Sequence, residues 1–177
     1  MTDVMNVLNY ICSSDLLIAI IMIGPPGSGK STLANKIVEQ HPDFVKINPD
    51  KIREELTGDS LNQKSNSAVF DIAHSRFKEQ LDSGYSTIFD ATNCYPKYRC
   101  EAINVARNSG AFIIGLAYTG PISKCLEYNW KHNLVIPEYA IERMYFSLRK
   151  RQPVLAEGYD ILIGFGGEEG YFDNEGE

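Results

Sequence analysis

The chain has 177 residues, a net charge of −6, 23% charged side chains and 44% hydrophobic ones. That balance excludes a disordered or fibrous chain and fits one globular α/β domain with a core of its own. No apolar run approaches the length of a membrane span, and no basic-then-apolar leader opens the chain, so a cytoplasmic protein without a membrane partner is expected.

The charge is unevenly placed. Glu168, Glu169, Asp173, Glu175 and Glu177 fall in the last ten residues with no base among them, which leaves −1 for the rest. Residues 168–177 therefore read as an acidic, poorly ordered tail, and 1–167 as a single domain. A basic cluster, Arg143, Arg149, Lys150 and Arg151, means that net charge neither selects nor excludes a nucleic-acid partner. Cys12, Cys94, Cys100 and Cys125 show no CxxC pair or zinc spacing and read as reduced, buried thiols.

Val4, Val7, Leu8 and Ile11 recur at helical spacing, predicting an amphipathic helix laid on the domain before Ser13-Ser14-Asp15. Leu16 to Ile23 is a continuous apolar run, as in a strand buried on both faces of a parallel sheet. Gly24-Pro25-Pro26-Gly27-Ser28-Gly29-Lys30-Ser31-Thr32 follows and satisfies G-x-x-x-x-G-K-[ST]. Leu33, Ala34, Ile37 and Val38 then recur as in a helix. Strand, glycine loop and helix are the order a phosphate cradle requires. The glycines let successive N–H groups turn toward phosphate oxygens, and the helix start adds its dipole. Lys30 would reach the β- and γ-phosphates, and the Ser31 hydroxyl would ligate the bridging magnesium ion. The stretch predicts binding of a nucleoside triphosphate.

His41-Pro42 stops that helix, and Phe44 to Ile47 makes a short second strand. Asn48-Pro49-Asp50-Lys51-Ile52-Arg53 comes next. A carboxylate at the carboxyl end of a strand near the loop is placed to accept a proton from an attacking hydroxyl. Asp50 is that candidate base, with the alternative that it is only the N-cap of the following helix. Arg53, three residues on, shares its helix face. Gly58 to Lys64 is a polar loop, and Phe70, Ala73, Phe77 and Leu81 mark a helix closed by Gly84. His74 reads as a residue at the core's edge.

Ser86 to Asp90 is the third strand, ending in an aspartate where a Walker B carboxylate would sit. Pro96 to Arg107 is a helix, Ala111 to Tyr118 a strand, Ile122 to His132 a helix and Asn133 to Ile136 a link. Pro137 occupies the first turn of a helix reaching about Arg151, and Tyr159 to Ile163 is the last strand. Alternating strands and helices predict a parallel sheet with right-handed crossovers.

Taken together, GPPGSGKST, INPDKIR, FDATNCYPKYR, CLEYN before VIPEYAIERM, and a closing P-x-x-x-EGYD resemble the bacteriophage-type polynucleotide 5′-kinase group of AAA-type P-loop kinases. The similarity spans Ile18 to Ile163, and the pair IN-x-D-x-x-R and D-x-TN is its most specific part. The resemblance implies a P-loop NTPase fold with a five-stranded parallel sheet flanked by helices, a helical lid, ATP with Mg2+ as donor, and transfer of the γ-phosphate to a hydroxyl. It implies Asp50 as general base, Arg53 as a clamp on the acceptor-side or scissile phosphate, and Asp90 at the acceptor pocket or the magnesium shell. Ile122 to Asn133 resembles the lid helix, but Lys131 and His132 stand where such kinases carry an arginine, and Tyr128 precedes Asn129 where a basic residue is common.

Three readings follow. The first is a kinase of a nucleic-acid 5′-hydroxyl, with single-stranded nucleic acid or DNA ends as partner. The second is a kinase of the same fold acting on a hydroxymethylated base in DNA, a nucleoside or a small metabolite. The third is an NTP-binding switch, which Asp50 with Arg53 disfavours. The absence of N-K-x-D fits ATP rather than GTP. A polynucleotide acceptor predicts a basic groove, to which Lys51, Arg53, Arg143 and Arg149 are the candidates. Oligomeric state is left open.

Overall fold

The computed structural model describes residues 2–12, 14–59, 66–132 and 136–167. The acidic tail, most of the link after His132, the greater part of the polar loop after Gly58, and Ser13 lie outside the described residues. Five strands, β1 (Ile18–Ile23), β2 (Val45–Ile47), β3 (Thr87–Phe89), β4 (Phe112–Tyr118) and β5 (Ile161–Phe165), form one sheet in the order β2-β3-β1-β4-β5. Every neighbouring pair is parallel. Among the described residues, seven helices connect and cover them: α1 (Thr2–Cys12), α2 (Lys30–Gln40), α3 (Pro49–Thr57), α4 (Asn66–Asp82), α5 (Pro96–Asn108), α6 (Ile122–Lys131) and α7 (Glu138–Lys150). A 3-10 turn, Leu155–Glu157, precedes β5.

β1 explains the two-sided core. Its side chains alternate, so Ala19, Ile21 and Ile23 join Phe77, Phe89, Ala102 and Ile113 on one face. Ile18, Ile20 and Met22 join Leu33, Ile37, Ile114 and Leu116 on the other. All six β1 residues are buried. Val4 and Leu8 of α1 complete the second face, as the helical spacing of the opening segment predicts. Among the described residues, no helix is long and apolar enough to cross a membrane.

Several boundaries move for identifiable reasons. α4 begins at Asn66, a turn ahead of the first apolar marker, because its opening residues 66–68 are exposed and carry no periodic signal. The last strand runs Ile161–Phe165 rather than from Tyr159. Asp160 holds the ladder's start with its side chain as well as its backbone: Oδ2 accepts from Ile113 N at 2.7 Å, and its N–H donates to Ile113 O at 2.9 Å. β3 is shorter than Ser86 to Asp90 because Ser86 Oγ accepts the Ile18 N–H at 3.0 Å, replacing a ladder bond. Of the four free cysteines, Cys94 and Cys125 are buried, Cys12 is half-buried and Cys100 is exposed, so burial does not extend to all four thiols.

Candidate active site

The phosphate loop leaves the carboxyl end of β1 and is held from outside. Gly24 N donates to Thr92 O at 2.8 Å, and the buried Asn93 donates Nδ2 to Met22 O at 2.8 Å. Asn93 has φ 47, the left-handed region that asparagine tolerates better than most residues. The chain after β3 thus crosses onto the end of β1 and sets where the loop begins. Gly27 has φ +76, and a Cβ there would lie 2.4 Å from the Cys125 carbonyl oxygen, so α6 rests directly on the loop. Gly29 is the N-cap of α2 and supplies no side-chain bond, which leaves the first N–H groups of the helix for an anion.

Lys30 opens α2 and is buried. Its ammonium folds onto the loop, donating to Pro25 O at 2.8 Å and Ser28 Oγ at 3.3 Å. Burial lowers its pKa, an effect opposed by nearby groups that include the Asp90 and Asp50 carboxylates. Lys30 therefore packs as well as carrying charge. Ser31 and Thr32 follow on the exposed side of the first turn.

The second part of the site comes from β2 and β3. Asn48, not Asp50, is the N-cap of α3: its Oδ1 accepts from Asp50 N at 2.8 Å and Lys51 N at 3.2 Å. Pro49 at the first helical position sets that register, since proline is favoured there and needs no N–H acceptor. The capping alternative for Asp50 is thereby overturned. The other end of the Asn48 amide, Nδ2, donates to Asp90 Oδ2 at 3.0 Å. Asp90 is buried at the end of β3, with Lys46 Nζ 3.9 Å from the same oxygen. One asparagine thus joins the start of the Asp50 helix to the Asp90 carboxylate.

Asp50 itself is exposed, its side chain at 72%, and ion-pairs through Oδ1 with Arg53, which is buried. Arg53 Nη2 also donates to Asn66 Oδ1 at 2.8 Å, tying α3 to the start of α4. Lys131 and His132 are placed differently. Lys131 pairs with Glu127 one turn back, and His132 packs on Tyr128 with ring centroids 4.1 Å apart. Both are held on α6 and around its C-terminal end. The candidate basic groove is also divided: Lys51 and Arg53 flank the β2 side, whereas Arg149 donates to Thr119 O at 3.3 Å beyond β4.

Oxygen donors fit magnesium here. Ser31 and Asp90 offer a hydroxyl and a carboxylate, the hard ligands this ion takes alongside phosphate oxygens. Among the described residues, no group of three or more His, Cys, Asp or Glu forms an all-protein metal cage.

Three supporting residues stand in the motifs quoted from the sequence but were given no role there: Asn48 of IN-x-D-x-x-R, Asn93 of D-x-TN and Arg99 of FDATNCYPKYR. Asn48 was legible from the Asn-Pro pair. Arg99 is fully buried on α5 and bonds Glu157 with two nitrogens, and the carbonyls of Cys94 at 3.3 Å and Arg151 at 3.0 Å. No local pattern announces that contact.

A family model described as an AAA domain matches residues 20–149. The chain is 28% identical over 130 residues to an L-seryl-tRNA(Sec) kinase of Methanococcus maripaludis, covering 71% of this chain and 50% of that protein. It superposes on a chain of the Pnkp1/Rnl/Hen1 RNA repair complex with TM-score 0.70 and 24% identity, over 78% of this chain and 46% of that one. It also superposes on shikimate kinase from Acinetobacter baumannii, solved with shikimate, with TM-score 0.56 and 18% identity, over 87% and 86% of the two chains. The chain spans about half the length of the first two. At these identities the two structures share its fold.

Proposed function

Because this chain belongs to the AAA domain family, we propose that it is an ATP- and magnesium-dependent kinase of a nucleic-acid 5′-hydroxyl. One observation carries the reading. Strands β2, β3 and β1 are neighbours in the sheet, and their carboxyl ends deliver Asp50, Asp90 and Lys30 to one edge. A proton acceptor, a buried carboxylate and a phosphate loop side by side are the parts of phosphoryl transfer.

In this reading the acceptor hydroxyl attacks the γ-phosphorus. A new O–P bond forms, the bond to the β,γ-bridging oxygen breaks, ADP leaves, and the hydroxyl proton passes to Asp50. Lys30 and the loop N–H groups stabilise charge on the transferring group, acting most strongly in the transition state. Magnesium, when bound with ATP, neutralises phosphate charge, and Ser31 and Asp90 are the residues that would hold it. Arg53 keeps Asp50 oriented through the ion pair between them.

Support for a nucleic-acid acceptor comes from the IN-x-D-x-x-R and D-x-TN segments and from two similar proteins whose names concern RNA. A second reading, a small-molecule acceptor, is favoured by the near-complete mutual coverage with shikimate kinase. Labelled γ-phosphate transfer to DNA and RNA 5′-ends, modified-base DNA, nucleosides and sugars separates the two, with Lys30→Ala as the inactive control. Transfer to oligonucleotide 5′-ends with the highest kcat/KM is expected. Transfer confined to small hydroxyl compounds would establish the second reading instead.

A further inference from the structure

The outer face of α7 carries a stripe of side chains that the kinase reading does not use. Tyr139, Arg143, Phe146 and Lys150 recur at i, i+4, i+7 and i+11, which sets them in one line along the helix. Ile141, Tyr145 and Leu148 on the opposite side anchor α7 in the core. Tyr139 is 68% exposed and Phe146 61%, and both cations are exposed. The helical rise puts the two rings about 10 Å apart along the axis, with Arg143 between them.

These cations are placed differently from those on neighbouring helices. On α4, α5 and α6 a lysine faces an acid one turn away: Lys78 with Asp82, Lys97 with Glu101, and Lys131 with Glu127. On α7 the residue one turn before each cation is a ring, Tyr139 before Arg143 and Phe146 before Lys150. Among the described residues, the side chains of Arg143 and Lys150 make no hydrogen bond or ion pair. Neither lies over its ring; the cation that covers a ring on this helix is Arg149, 5.5 Å from the Tyr145 centroid. Glu142 flanks the stripe on one side and Ser147 on the other.

Rings that alternate with unneutralised cations suit a polyanion whose flat bases are open to stacking. A duplex keeps its bases stacked inside, so the fit is to a single strand. A second copy of this chain, docked across a two-fold axis, would set the same patch against itself and bring its cations together. The stripe also has no aliphatic side chain from which to build the apolar centre of such an interface. We propose that the outer face of α7 binds single-stranded nucleic acid, with bases on Tyr139 and Phe146 and phosphates on Arg143 and Lys150. This goes beyond the kinase reading, because it uses none of the groups at the Lys30, Asp50 and Asp90 edge and needs no reacting hydroxyl.

Two variants test it. Tyr139→Ser/Phe146→Ser removes both rings from exposed positions, and Arg143→Gln/Lys150→Gln removes both charges; unchanged melting temperatures show that each folds. The probe is a single strand of about ten nucleotides with a 3′ fluorophore and a 5′-phosphate, so that it offers no 5′-hydroxyl. An abasic strand of the same length accompanies it. By fluorescence anisotropy, the ring variant should bind the normal strand at least ~10-fold more weakly and the abasic strand as wild type does. The charge variant should lower the log–log salt slope by about 1.4 for two lost phosphate contacts. Equal losses for the two strands in the ring variant, wild-type binding by both variants, or no binding by wild type overturns the proposal. Wild type that self-associates through the rings and binds no strand assigns the face to a second copy instead. Stripe-dependent binding by a protein that phosphorylates only small hydroxyl compounds keeps the surface and removes the 5′-hydroxyl reading. Transfer to 5′-ends with strand binding unchanged in both variants does the reverse.

Discussion

Arg99 and Glu157 meet in a two-pronged ion pair, Nε to Oε2 at 2.7 Å and Nη2 to Oε1 at 2.6 Å, with the arginine fully buried. The same guanidinium reaches the Cys94 and Arg151 carbonyls, so it clamps the chain following Asn93 to the segment before β5. Because Asn93 braces the end of β1, the clamp supports the phosphate loop from a distant part of the chain.

Glu157→Gln should therefore be strongly destabilising. It leaves a buried guanidinium without its counter-charge, a loss of about 3–5 kcal/mol for a broken buried pair. Arg99→Met with Glu157→Leu should recover much of that loss, since the uncompensated charge is gone. Denaturant unfolding of both variants checks it. A Gln variant as stable as wild type would show that the pair contributes little.

Asp50→Asn should keep ATP binding and the α3 cap, which is Asn48, and lower the melting temperature modestly, because it removes the counter-charge of the buried Arg53. Phosphoryl transfer should fall by on the order of a hundredfold or more, the usual scale of general-base help. Intact transfer in this variant would leave the site without an identified base.

Lys131 is paired with Glu127 on α6, and a role on a transferring phosphoryl group would compete with that pair. If it takes that role, Lys131→Ala lowers kcat much more than it raises KM for ATP, while Glu127→Gln leaves kcat at or above the wild-type value. Kinetics identical to wild type in Lys131→Ala take that residue out of the mechanism.

Gly27→Ala places a methyl against the Cys125 carbonyl in a backbone conformation with φ +76. Strain of about 1–3 kcal/mol follows from the conformation, and relief requires α6 to move off the loop. Lower melting temperature together with weaker ATP binding is expected. An alanine variant that binds ATP normally would show that α6 does not need its present seat on Gly27.

His74 stacks on Phe89 at 5.1 Å, and burial lowers its pKa, opposed by Glu101 and Asp71. The unfolded chain takes up this proton near pH 6.5, the folded protein only at lower pH. The resulting stability is complete above the unfolded value and is lost as pH falls below it. Between pH 7.5 and 5.0, His74→Leu should lose less melting temperature than wild type. Equal losses would remove His74 from the acid response.

The phosphate loop was legible in the sequence because its requirements are local. Gly24, Gly27, Gly29, Lys30 and Ser31 act through fixed spacing between one strand and one helix, and apolar periodicity places both. The same short-range signals gave the five strands and seven helices to within a few residues, and the Asn48-Pro49 pair already contained the true cap. What only the tertiary structure decided are pairings across long stretches of chain. The order β2-β3-β1 sets Asp90 between the loop and Asp50. Asn48 turns to Asp90, and Arg99 finds Glu157. Such contacts depend on how helices pack on the sheet. Residue type and spacing do not record that, since an arginine in a helix reads alike whether it faces water or a buried carboxylate.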